Sequence, residues 1–271
     1  MRLRVGRVRY INCEPVYYAL ERGLVPADCE IHDGTPDELN EQLRVGDLDV
    51  SVISVMEAAL RPEAYHLLPD LAIACDGAVE SVLLASQRPV EELDGQPVAL
   101  SPHALTSVYL VKLLLEKAYH VRPRYLPETG GAGGEGAAAR LLIGDEALRL
   151  GPRSTHPLDL GKAWHALTGL PFVFAVWAVR CAVWVAASED VRTIHGALLT
   201  AKAYTRAHPE AMVALACERT GLSPEACRRY LQERLCFDLS PRHLEGLRTF
   251  LQMLADAGEL PAVPSLTFIP V

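Results

Sequence analysis

RVGRVRYINCEPVYYALERGLVPADCEIHDGTPDELNEQLRVGDLDVSVISVMEAAL, residues 4–60, alternates short apolar runs with amphipathic ones. Arg4–Arg9 reads as a strand. Pro15–Leu20 reads as a short helix whose proline suits the first turn. Cys29–His32 is a second strand, and Asp33-Gly34-Thr35 then turns the chain. Thr35 is placed to cap a helix over 36–45, with Glu38 at the capping-box position. Leu39 and Leu43 share one face of that helix. Asp49–Ile53 is a buried strand, and Ser54 opens a helix to Leu60. Strand and helix in this alternation imply a parallel sheet with helices on its faces.

Working outward, His66–Ala74, Val79–Ala85 and Pro97–Leu100 read as further strands. A helix from Leu105 to Tyr119 carries Leu110, Leu113, Leu114 and Lys117 at helical spacing. Arg124–Leu126, Arg140–Ile143, Phe172–Val179 and Val183–Ala186 are short strand candidates. Asp145–Leu148 and Leu160–Leu167 are helical. Beyond Ser188 the chain is predicted helical over 188–208, 209–219, 224–233 and 241–257, with Ser188, Ser223 and Ser240 as N-caps. The glycine-rich TGGAGGEG at 129–136 nearly matches a nucleotide-binding glycine pattern. It lacks the strand and helix context that would give it function, and it reads as a surface loop.

Two strand-rich regions with one helical tail suggest two lobes. The first would comprise 1–84 plus 178–271. The second, 85–177, would be inserted between them, with Leu83–Ser86 and Ala175–Val179 as crossing segments. The net charge of −8 and the lack of a Lys/Arg stripe argue against a nucleic-acid partner. The apolar tract 170–187 is broken by Pro171 and Arg180 and is not expected to span a membrane. Seven cysteines without a C-x-x-C pair, and no secretory pattern in the first residues, lead to an expected cytoplasmic location. No metal or other cofactor is expected, because metal-ligand spacings such as HExxH are missing. A homodimer is one state that the sequence leaves open.

Ligands of open α/β sheets lie beyond the carboxyl ends of strands. That rule selects Tyr10 and Asn12, then Ser54, Ser81, Ser101, Thr106, Ser107, Gly144 and Asp145. The set is rich in hydroxyls and amides and poor in bases. Each member has a structural alternative. Asn12 could form an Asx-turn, Ser81 could face solvent, and Ser54, Thr106, Ser107 and Asp145 could cap helices. Thr106 and Ser107 open a helix whose free N–H groups would suit a carboxylate. Arg9 and Arg180 would flank the cleft and could hold a carboxylate bidentately.

The strings VRYINCEPVYYAL (8–20), GDLDVSVISVMEAAL (46–60), CDGAVESVLLAS (75–86), VALSPHALTSVYLVKLLL (98–115), LLIGDEAL (141–148) and DLGKAWHALTGLPFVFAVWAVR (159–180) occur in this order. Together they resemble the chorismate dehydratase family of the futalosine route to menaquinone. The resemblance implies a two-lobed type II periplasmic-binding-protein-like α/β fold with a ligand cleft between the lobes. It implies chorismate as the small-molecule substrate and 3-[(1-carboxyvinyl)oxy]benzoate as the product. It also implies a site of Asn12, Ser54, Ser81, Ser101, Thr106, Ser107 and Asp145. In that site Asn12, Ser81 and Asp145 would act on the reacting groups, and the Thr106–Ser107 helix start would take the ring carboxylate. The base stays open between Asp145, Glu57, Glu80 and a carboxylate of the substrate. A non-catalytic anion-binding protein and the sister 1,4-dihydroxy-6-naphthoate synthase are the alternatives. His103-Ala104-Leu105 departs from the family's usual small or polar residues.

Overall fold

The computed structural model describes residues 2–127 and 136–270. Most of the glycine-rich stretch, residues 129–135, therefore lies outside the described residues. The first sheet contains β1 (Leu3–Val8), β2 (Cys29–Gly34), β3 (Val50–Ser54), β4 (Tyr65–Cys75) and β10 (Phe172–Arg180) in the order β2-β1-β3-β10-β4. The second contains β5 (Val82–Ser86), β6 (Pro97–Leu100), β7 (Arg124–Pro127), β8 (Ala139–Ile143) and β9 (His156–Asp159) in the order β7-β6-β8-β5-β9. The helices are α1 (Glu14–Glu21), α2 (Pro36–Val45), α3 (Val55–Leu60), α4 (Leu105–Lys117), α5 (Gly144–Leu150), α6 (Leu160–Thr168), α7 (Cys181–Ala207), α8 (Pro209–Thr220), α9 (Pro224–Arg229) and α10 (Pro241–Asp256). A π-turn over Tyr230–Arg234 follows α9.

The opening β-α-β-α-β reading holds, since β1 pairs in parallel with both β2 and β3. Glu38 of α2 accepts the Thr35 N–H at 2.8 Å, as a capping box requires. Gly6 lets β1 approach β3, because a Cβ there would stand 2.3 Å from Ser51 Oγ. Behind this sheet, Tyr17 of α1 donates to the Gly6 carbonyl at 2.7 Å and accepts the Trp177 indole N–H at 2.8 Å. The buried hydroxyl is thereby satisfied at the centre of an apolar core.

Three expectations are corrected. Phe172–Trp177 belongs to the first sheet, where β10 runs antiparallel to β3 and β4, while Val82–Leu84 already pairs in the second. Sheet membership thus changes within 76–81 and 160–171. Val183–Ala186 is helical, forming the first turns of α7 ahead of a break at Ala187. A short apolar run fits a strand and a buried helix equally well until its packing is known. Ser188 accordingly follows the break and caps nothing, whereas Ser223 and Ser240 accept the N–H groups of Ala226 and His243 as expected. The strand β9 was not foreseen. Its sequence His-Pro-Leu-Asp has no alternation, and it pairs only with β5 at the sheet edge.

Candidate functional site

The carboxyl ends of β1, β3, β6 and β8 face one another across a cavity of about 80 Å3. Asn12, Ser54, Ser81, Thr106, Ser107 and Gly144 line it, joined by Tyr10 and His103. Val8, Ile73 and Phe174 belong to its apolar wall. Among the described lining residues there is no Asp, Glu, Lys or Arg.

Two of the hydroxyls, those of Ser54 and Thr106, are placed by the hydrogen bonds they accept. Ser54 caps α3, and its Oγ accepts the Glu57 N–H at 3.1 Å and the Asn40 side-chain amide at 3.3 Å. With both acceptor positions used, its O–H proton can be donated into the cleft. Thr106 Oγ1 accepts the Met56 N–H at 3.1 Å across the two lobes. The N-cap of α4 is Ala104, which offers no capping side chain. The first N–H groups of α4 and the positive end of its dipole therefore open beside the lining residues Thr106 and Ser107. Burial pushes the Tyr10 phenol up to about 12, with Asp145 and Asp37 adding to the effect, so it remains a neutral donor. Asn12 Oδ1 is buried without a hydrogen-bond partner.

Other expected residues stand elsewhere. Asp145 does not line the cleft, because its Oδ1 accepts the Ile11 N–H at 2.9 Å and its Oδ2 lies 3.8 Å from Arg219. Burial raises this carboxyl, opposed by the Ile11 N–H and by Arg219. Ser101 Oγ accepts the His103 N–H at 3.4 Å inside a turn outside the lining. Arg9 is exposed, donates to the Asp33 carbonyl at 3.3 Å, and also lies outside the lining. Arg180 is at the opposite end of the strands of the first sheet, beside Gly46, because β10 is antiparallel and ends where its neighbour β3 begins. Of the bases considered, Glu57 is engaged by Arg61 and Tyr65, each at 3.0 Å. Glu80 is engaged by Arg229 at 3.1 Å and by Arg234 at 2.7 Å.

Two residues at the site escaped the sequence reading. His103 follows a strand end by three positions, so the strand-end rule could have included it. Its Nδ1 lies 2.5 Å from Asp37 Oδ1, tying the second lobe to α2 of the first. Tyr230 comes from the helical tail and is 1% exposed, with its hydroxyl beside Ser81 and Asn12. No local pattern marks it.

A family model described as menaquinone biosynthesis matches residues 3–256. The chain is 34% identical over 197 residues to a chorismate dehydratase of Thermus thermophilus, an alignment covering 65% of this chain and 69% of that enzyme. It is 31% identical over 175 residues to a chorismate dehydratase of Campylobacter jejuni, covering 63% of this chain and 64% of that one. Among solved structures it is similar to a protein of Archaeoglobus fulgidus with a TM-score of 0.75 at 20% identity, covering 96% of this chain and 98% of that one. A Candida albicans protein described as having the generic periplasmic binding protein fold gives 0.73 at 11% identity, covering 100% and 98%. The alkanesulfonate-binding protein of Xanthomonas axonopodis gives 0.69 at 15% identity, covering 97% and 96%. These likenesses and the two sheets make the fold that of the two-lobed periplasmic binding proteins.

Proposed function

We propose, from the premise that this chain belongs to the menaquinone biosynthesis family, that it dehydrates chorismate to 3-[(1-carboxyvinyl)oxy]benzoate. The observation that carries the reading from family to site is the cleft itself. It offers hydroxyl, amide and helix-end donors to an anion and no carboxylate to repel one.

The reaction breaks the C–H bond at the ring carbon bearing the enol-ether oxygen. The electron pair closes a ring double bond, the C–O bond to the neighbouring hydroxyl breaks, and proton and hydroxide leave as water. Aromatisation drives the step forward. The ring carboxylate sits at the α4 N-terminus with Thr106 and Ser107. Asn12 and Ser81 hold the enolpyruvyl carboxylate and the departing hydroxyl, and Ser54 supplies a further donor. Since Asp145, Glu57 and Glu80 are all engaged outside the cleft, a carboxylate of the bound substrate takes the proton. The protein's contribution is then orientation and exclusion of water, for which fixed donors suffice. The same reading places the enzyme in the cytoplasm, which seven free cysteines fit.

The test is incubation of pure protein with chorismate, followed by mass and absorbance. An aromatic product lighter by one water is expected, and Asn12→Ala and Ser81→Ala should each lower kcat at least about a hundredfold. Tight binding without conversion would leave a binding protein and overturn the reading.

A further inference from the structure

One tail element beside the cleft is the π-turn Tyr230–Arg234. Such turns interrupt a helix at a cost and recur at functional sites. This one meets residues beside the cleft at two points. The Tyr230 phenol, 1% exposed, ends beside the Ser81 hydroxyl and the Asn12 amide. Neither its oxygen nor Asn12 Oδ1 is satisfied by a protein partner, although both are buried. Burial raises the phenol far above its ordinary value, so it stays a neutral group that can donate one proton and accept others. At the other end of the turn, Arg234 Nε donates to Glu80 Oε1 at 2.7 Å, and Arg229, just ahead of the turn, donates to both Glu80 oxygens at 3.1 and 3.2 Å.

Glu80 needs that hold. Its φ of +61° is a left-handed conformation that a side chain other than glycine rarely keeps. From the other side, Asp159 accepts the Val79 and Glu80 N–H groups at 3.1 and 2.7 Å. The backbone leading into Ser81 is thus fixed by Asp159 on one side and by the tail on the other.

We propose that Tyr230 is a positioning residue of the cleft: its buried, unpaired hydroxyl pairs with the Ser81 hydroxyl and the Asn12 amide when substrate fills the site, and keeps both turned toward the reacting groups. The assignment rests on the chorismate reading for the identity of that substrate, but the linkage itself does not depend on it. Removing the hydroxyl leaves the packing of the ring and takes away the link. In Tyr230→Phe, kcat for chorismate should fall by about tenfold to a hundredfold with KM within about threefold, since orientation and not binding is lost. The double variant Y230F/S81A should be no slower than S81A by more than about twofold, because the two groups act as one unit. A second readout needs no turnover. With ring-carbon-labelled tyrosine, the Tyr230 resonance, identified by its loss in Y230F, should move in both S81A and N12A. A wild-type protein inert toward chorismate would sink the functional reading alone. Losses that multiply independently in the double variant, or a Tyr230 resonance unmoved by both substitutions, would overturn the assignment of Tyr230.

Discussion

Arg7 shows what a single side chain in β1 must balance. It is 8% exposed, yet it meets Asp33 at 2.7 Å, Glu21 at 3.0 Å and the buried Glu14 at 3.6 Å. Glu14 is also bound by Arg219 at 2.5 Å, and burial raises its carboxyl against the pull of both cations. Removing one partner of a buried group is costly because the other keeps its desolvation penalty. Arg7→Met should therefore lose about 3–5 kcal/mol of unfolding free energy in urea, and a loss under about 1 kcal/mol would show the cluster to be solvated like a surface pair. The pH dependence has a definite sign. Hydrogen bonds from Arg7 hold the Asp33 carboxyl below its ordinary value. A depressed carboxyl contributes fully above the unfolded value, near ~4, and loses its contribution as pH falls through the folded one. The wild type should thus lose stability in acid more steeply than Asp33→Asn does, as equilibrium unfolding at stepped pH would record.

Elements with a local reason to exist were legible, and those made by packing were not. Thr35 with Glu38, Ser54, Ser223 and Ser240 each announce a helix start by side-chain chemistry, and each start is where it was read. Val183–Ala186 and β9 lack such chemistry, so neighbours decided them. Asp159 belongs to both categories. It caps α6 by accepting the Lys162 N–H at 2.9 Å, and the same carboxylate holds the backbone of Val79 and Glu80. Asp159→Ala should cost about 2–4 kcal/mol, more than a cap alone, because two further buried donors lose their acceptor. Thermal unfolding of Asp159→Ala beside Ser223→Ala, a cap with a single bond, measures the excess. Equal losses would mean that water replaces Asp159 at the Val79–Glu80 backbone.

At the scale of the whole molecule, the strand-end rule found the cleft residues Asn12, Ser54, Ser81, Thr106, Ser107 and Gly144. It could not say which strand ends face away, as with Arg180, or what the tail would add, as with Tyr230. Nor could it say how the two lobes meet. The contacts that join them around the cleft include Ile11 N–H to Asp145, Met56 N–H to Thr106, Asp37 to His103, and the Tyr10 ring against Gly144. Two lobes that hold a ligand between them are expected to part for it and to close around it. Gly144 is the sharpest point of that fit. Its φ is +59°, and a Cβ there would stand 2.7 Å from the Tyr10 ring, closer than real carbon contacts allow. Gly144→Ala adds both a left-handed strain of about 1–2 kcal/mol and a clash that exists only when the lobes are together. A closed state made scarcer by a given factor weakens apparent affinity by that factor. KM for chorismate should rise about tenfold or more in Gly144→Ala, since 1.4 kcal/mol is tenfold, while the change in kcat stays smaller. His103→Ala, which only frees Asp37, should shift KM in the same direction by less. Solution scattering should give a larger radius of gyration for Gly144→Ala than for the wild type. An unchanged KM with an unchanged radius would mean that Tyr10 turns aside at no cost, and that the ring is not part of what closes the cleft.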